Sequence, residues 1–124
     1  SYSDGRQPDN DIVLFRYADA LLMKAEAQVR NGEDGSEAFN QVRSRVEMPM
    51  KEATLENIID ERLLELVWEG WRRNDMIRFG YFHKSYDMRT ALPEEANAYT
   101  TVFPIPSRAI DLNPALKQNP GYKD

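Results

Sequence analysis

The stretch FRYADALLMKAEAQVRNG, residues 15–32, decides the fold class. Tyr17, Leu21, Ala25 and Val29 recur every four residues with Ala18 and Leu22 beside them, while Lys24, Gln28 and Arg30 fall elsewhere, which is the spacing of an amphipathic helix. Asn31-Gly32 supplies the left-handed C-terminal stop. Working outward, Ser36 is a candidate N-cap for SEAFNQVRSRVEMP, where Phe39, Val42 and Val46 keep helical spacing until Pro49. Two helices joined by so short a loop form an antiparallel hairpin. TLENIIDERLLELVWEGW then predicts the strongest helix of the chain. Thr54 caps it, and Leu55, Ile58, Ile59, Leu63, Leu66 and Val67 form its apolar stripe. Trp68 follows Val67 and reads as core. RRNDMIRFG adds one or two turns before Gly80.

The remainder is irregular. Regular structure is expected to begin near Asp11, after a flexible lead-in over residues 1–10. The helical core spans 11–80, a loop follows over 81–98, and an extended tail covers 99–124. Within the tail YTTVF, residues 99–103, reads as a short strand by its β-branched and aromatic content. Four of the seven prolines sit between Phe103 and Tyr122, so that stretch can be neither a long helix nor a central strand. The expectation is a mainly α single domain over residues 1–124: one tetratricopeptide-like helical hairpin, a further helix, and a proline-rich tail that runs over packed helices and pins them. A rigid Pro-Ile-Pro step, a capped turn from Ser107 and a closing QNPGY turn would build that tail.

Composition narrows the function. The 124 residues carry 16 Lys and Arg against 21 Asp and Glu, a net charge of −5 with the basic residues scattered, which disfavours nucleic acid as a partner. No apolar run approaches the ~18 residues of a membrane-spanning helix. The absence of cysteine removes disulfides, thiolate metal sites and cysteine nucleophiles. His83 is the single histidine and lies on an expected loop, so no zinc motif and no Ser-His-Asp spacing exists. The six glycines form no phosphate-binding loop, and no cofactor is implied.

Two residue groups remain as candidates. Glu61, Glu65 and Glu69 fall four apart with Asp75 close behind, and paired carboxylates flanking a cleft would suit glycoside hydrolysis. Arg62, Arg72, Arg73 and Arg78 are interleaved with them, however, so a structural network of Glu61, Arg62, Glu65, Glu69, Asp75 and Arg78 is the stronger reading, its groups meeting the tail's exposed backbone. Trp71, Tyr81, Phe82 and Tyr86 fall in an irregular region where flat aromatic faces suit sugar rings, and these four are the candidate ligand contacts.

The order of these motifs resembles the C-terminal part of the SusD/RagB family. The residues that carry it are Arg16-Tyr17-Ala18-Asp19, Ala25-Glu26-Ala27, Glu61-Arg62 with Glu65, Glu69-Gly70 with Asp75, Arg78 and Gly80, Pro104-Ile105-Pro106, and Gln118-Asn119-Pro120-Gly121-Tyr122. The resemblance implies a non-enzymatic surface lipoprotein of Bacteroidetes-type bacteria, on the extracellular face of the outer membrane. Such a protein captures an oligosaccharide or other nutrient for a SusC-like TonB-dependent transporter. Family members are several times longer and start with a signal peptide and a lipid-modified cysteine, so the N-terminal part of the same protein is a further implied partner. Sugar contacts in the family vary with the nutrient and cannot be carried over by motif. The alternative is a helical-repeat adaptor that binds a protein and no small molecule. Aromatics from Trp71 to Tyr86 that cluster in the open would favour the binder, and buried ones the adaptor.

Overall fold

A computed structural model describes residues 13–86, 88–93 and 97–123. Among these residues it is mainly helical: α1 (Tyr17–Arg30), α2 (Ser36–Arg45), α3 (Leu55–Glu65), α4 (Arg72–Arg78) and α5 (Ser107–Leu112), with a 3₁₀ turn at Tyr99–Thr101. The lead-in expected over residues 1–10 lies outside the described residues. The chain packs as two compact units that divide between Arg72 and Arg73.

In the first unit α1 packs on both α2 and α3. Its C-terminus closes as the Asn-Gly signal demands. Gly32 sits at φ +77°, its N–H donates to Val29 O at 3.1 Å, and the Glu33 N–H donates to Gln28 O at 2.8 Å. Ser36 does not cap α2 with its hydroxyl. The Asp34 carboxylate accepts the Ser36 N–H at 2.9 Å instead, and the Ser36 hydroxyl accepts from Ala53 N at 3.4 Å. Gly35 is required by proximity, because a Cβ there would lie 2.5 Å from Ala25 O of α1. Thr54 caps α3 as expected, accepting the Asn57 N–H at 3.1 Å. Leu21, Leu22, Ala25, Phe39, Val42, Ile58, Ile59 and Leu66 are buried and form the core.

The third helix is shorter than its apolar spacing implies. It ends at Glu65, and Trp68 and Gly70 then adopt φ +67° and +81°. The cause is a competing donor: an Arg16 guanidinium nitrogen takes the Glu65 carbonyl that the Glu69 N–H would use in a longer helix, and that N–H turns to Leu66 O at 3.1 Å. The stripe is truncated accordingly. Leu63 and Val67 are exposed, and Trp68, expected in the core, is 98% exposed. Tyr17 and Val46, at the extremities of the other two stripes, are exposed as well, while Val29 is half-buried.

In the second unit α4 closes at Gly80, φ +73°, with the Tyr81 N–H on Met76 O at 2.8 Å. The expected strand at 99–103 is absent. Tyr99–Thr101 turns as 3₁₀ behind a left-handed Ala98, φ +58°, and among the described residues the only pairing of strand type is an isolated bridge from Tyr86 to Arg89. β propensity needs a neighbouring strand to be realised, and none is described beside this segment. Ser107 starts α5, but its N-cap is Pro106 and no hydroxyl caps it.

The tail is tied to its own beginning. The Gln118 side chain accepts the Ile105 N–H at 2.8 Å and donates to Ile105 O at 2.9 Å. Asn119 donates to Phe103 O, and the Tyr122 hydroxyl donates to Val102 O at 2.7 Å. Tyr122 also meets the Tyr99 ring edge to face at 5.0 Å, and Gly121, φ +92°, passes so close that a Cβ would lie 2.4 Å from that ring. The backbone groups of a proline-rich segment are thus satisfied by side-chain amides and a hydroxyl from the closing QNPGY turn.

Candidate functional site

The charged residues of α3 do not converge on a cleft. Glu61, Arg62 and Glu65 each find a guanidinium or carboxylate from another part of the first unit. Arg62 donates to Asp19 of α1 at 2.7 Å with both side chains almost fully buried, and Glu61 accepts from Arg43 of α2, also buried. Glu65 is held by Arg16 and by Arg45, the latter at 2.8 Å, and Arg16 reaches on to Glu69 at 2.8 Å. Glu69 lies beyond the end of α3, so the three glutamates do not share one helical face. Asp75, on α4, pairs with Arg78 at 2.8 Å, three residues on. Within the second unit, amides and carbonyls of the tail are met by Gln118, Asn119, Tyr122 and Arg73.

This arrangement disfavours acid–base chemistry at Glu65. Burial alone would push its carboxyl up, but the Arg16 and Arg45 guanidiniums more than offset that and hold it below the usual range, whereas a general acid needs the opposite shift. The Arg16 guanidinium is driven in the complementary direction, upward, chiefly by its bond to Glu69. Among the described residues no cluster of His, Cys, Asp or Glu has the makings of a metal site.

Sequence spacing alone does not reveal Arg16, Asp19, Arg43 and Arg45 as partners in this array. A signal exists for two of them. Asp19 is three residues before Leu22, and Arg43 four after Phe39, so each places a charge on a buried helical face where only a paired charge is tolerated.

A groove of about 550 Å³ runs between α1 and α2, lined by Tyr17, Leu21 and Val42 with Arg16, Gln41 and Arg45 at its polar margin. A smaller hollow of about 320 Å³ in the second unit is lined by Asn97, Tyr99, Thr101, Val102, Asn119 and Pro120.

The aromatic candidates differ in how open they are. Trp71, in the first unit, is half-buried and packs on Phe15 with ring centres 5.5 Å apart. In the second unit Tyr81 is half-buried with the Lys84 ammonium 4.3 Å from its ring centre. Phe82 is half-buried and meets Arg73 at 5.0 Å and His83 edge on, and Tyr86, 46% exposed, faces Arg89 at 5.9 Å. Arg73 also lies 4.1 Å from the centre of Phe103 and donates to Thr100 O at 2.9 Å, clamping the tail's first residues to α4. His83 has its Nε2 2.7 Å from the Thr100 hydroxyl, a bond within the same clamp. The rings are therefore neither fully open nor core, with Tyr86 the most accessible.

Comparison with known proteins gives this geometry its context. The SusD family model matches residues 1–122. The chain is 37% identical over 128 residues to the starch-binding protein SusD of Bacteroides thetaiotaomicron, a match covering 98% of this chain and 23% of that protein. It is 32% identical to SusD-like protein P38 of Formosa agariphila over 92% of this chain and 25% of the relative, and 33% identical to SusD-like protein P25 of the same organism over 93% and 25%. The chain thus spans about a quarter of the length of these relatives. With a family match over nearly every residue and a helical fold of the expected kind, the chain belongs to the SusD family.

Proposed function

We propose that this chain is the C-terminal portion of a non-catalytic, glycan-binding SusD-like lipoprotein. It would act at the extracellular face of the outer membrane and deliver its ligand to a SusC-like TonB-dependent transporter. The observation that carries the reading is the 37% identity to a starch-binding protein over 98% of the chain. Among the described residues no helix is long and apolar enough to cross a membrane. Attachment by a lipid anchor is what the resemblance to the family implies. The guanidinium-bound carboxylates support binding over hydrolysis.

Tyr81, Phe82 and Tyr86 form one edge of the ligand site in this reading, and Trp71 is a separate candidate within the first unit. Stacking on a few aromatics would dominate affinity, since a small number of anchors usually does. The longer protein supplies the remaining wall, so the 124 residues alone bind weakly or not at all. Calorimetry with maltooligosaccharides and a panel of other oligosaccharides, on this chain and on the full-length gene product, tests the reading. Tight binding by the long form only is the expected result. Failure of the long form to bind any glycan would remove the proposal, as would glycan cleavage that Glu65→Gln abolishes without unfolding the protein.

A further inference from the structure

The hollow of about 320 Å³ in the second unit is built from residues other than the aromatic candidates Tyr81, Phe82 and Tyr86. Its volume lies at the lower end of the range for ligand sites, which suits a single ring better than an extended chain. No Asp, Glu, Lys, Arg or His is among the described residues that line it. An ion placed there would lose its water without gaining a counter-charge, so the hollow favours a neutral ligand.

One wall is the Tyr99 ring, and it is fixed before any ligand arrives. Gly121 passes so close that a Cβ would lie 2.4 Å from that ring, and Tyr122 meets it edge to face at 5.0 Å. Little side-chain freedom is left to lose on binding, and a flat aromatic surface suits the apolar face of a sugar ring. Two half-used amides share the lining. Asn97 accepts the Tyr99 N–H at 3.4 Å through Oδ1, while its Nδ2 donates to no group among the described residues. Asn119 donates through Nδ2 to Phe103 O at 2.8 Å, while its Oδ1 accepts from no group among the described residues. Each bond orients its amide, and together they leave one donor and one acceptor, the complement of hydroxyl groups that can do both. Ala98, also in the lining, sits at φ +58° in the left-handed region, which a residue with a Cβ enters at a cost. Strain of that kind collects where ligands are held.

We propose that this hollow is a second carbohydrate subsite, one that takes a single neutral pyranose ring against Tyr99 with its hydroxyls on Asn97 and Asn119. The choice of a sugar among neutral polar ligands rests on the glycan-binding reading above, but the site uses none of the residues assigned there.

The test labels the full-length product of the gene with fluorotyrosine and follows the Tyr99 signal, assigned by its loss in Tyr99→Phe, by fluorine NMR. The probes are the methyl glycosides of glucose, galactose, mannose and xylose, with methyl glucuronide as an anionic counterpart. At least one neutral glycoside should shift the Tyr99 signal saturably, with a dissociation constant of about millimolar order, as expected for so small a ligand. The anionic probe should bind at least about fivefold more weakly. Asn97→Ala, at an exposed residue, should weaken binding roughly threefold to tenfold through the loss of one hydrogen bond. Val102→Phe, which adds bulk to the lining, should abolish the shift. The absence of a saturable Tyr99 shift with every neutral glycoside would overturn the proposal. Equal affinity for the anionic probe, unchanged affinity in Asn97→Ala, or a shift that survives Val102→Phe would do the same. Shifts confined to Tyr81 and Tyr86 would overturn it while leaving the glycan-binding reading standing, since that reading is decided by calorimetry and not by the Tyr99 signal.

Discussion

The two units are held together by different physics. In the first, ten apolar side chains and five charged ones are buried among the described residues, the charges largely matched as Asp19 with Arg62 and Arg43 with Glu61. In the second, Met76 and Asp75 alone are buried among the described residues. Its order comes from a guanidinium lying against two rings, a side-chain amide spanning a proline-flanked residue, and a tyrosine hydroxyl on a carbonyl. The contrast shows how one chain can order a periodic segment by burial and an aperiodic one by satisfying its backbone one group at a time.

The comparison breaks most decisively if the buried charges of the first unit prove dispensable. Arg62→Met should cost about 3–5 kcal/mol in urea denaturation, because it strands the Asp19 carboxylate in the core. Next comes Leu66→Ala. That side chain is 3% exposed at the end of α3, and its truncation should cost about 2–4 kcal/mol through lost transfer energy and a cavity. A loss below about half a kcal/mol for either would mean that the unit's interior is not where its stability lies.

These two residues also show what could be read from the sequence. Leu66 falls on the predicted stripe, and Thr54 and Asn31-Gly32 mark helix limits by local chemistry alone, so the three-helix arrangement was legible. The stop of α3 was not. It depends on Arg16, 49 residues away, capturing the Glu65 carbonyl, and no local propensity encodes such a competition. Trp68 was misassigned for the same reason, since its helical phase has meaning only if the helix continues. In the second unit periodicity is absent, and the clamp of Arg73 against Phe82 and Phe103 joins residues 30 apart with nothing in their spacing to announce it. The candidate site was legible as a list of aromatics but not as an arrangement, because exposure of those rings is decided by which cation covers each one.

A smaller effect tests the second unit. Arg73→Met keeps much of the side chain's bulk but removes the cation from both rings and the donor from Thr100 O. It should cost about 1–2 kcal/mol, from two partly exposed ring contacts and the hydrogen bonds to Thr100 O and Thr101 O. Hydrogen exchange would locate the loss: the amides of residues 99–105 should exchange faster while those of α1 and α3 stay protected. Uniform acceleration across both units would show that the clamp supports the whole chain and would blur the distinction between them.

The smallest effect concerns pH and returns to the first unit. Glu65 ordinarily titrates near 4.5, and in the fold its carboxyl is held lower by Arg16 and Arg45 against the opposing push of burial. A carboxylate whose folded value is depressed binds fewer protons folded than unfolded, so its stabilising contribution is complete above the unfolded value and is lost as pH falls through the folded one. Unfolding free energy measured downward from pH 6 should therefore begin to fall near pH 4.5 and continue to fall below it. Glu65→Gln should be less stable at pH 6, yet its profile should be flatter below pH 4.5 than that of the unmodified chain. The two curves should converge in acid, where both side chains are uncharged. Parallel curves across the range would mean that the charge of Glu65 beside Arg16 and Arg45 contributes nothing to folding.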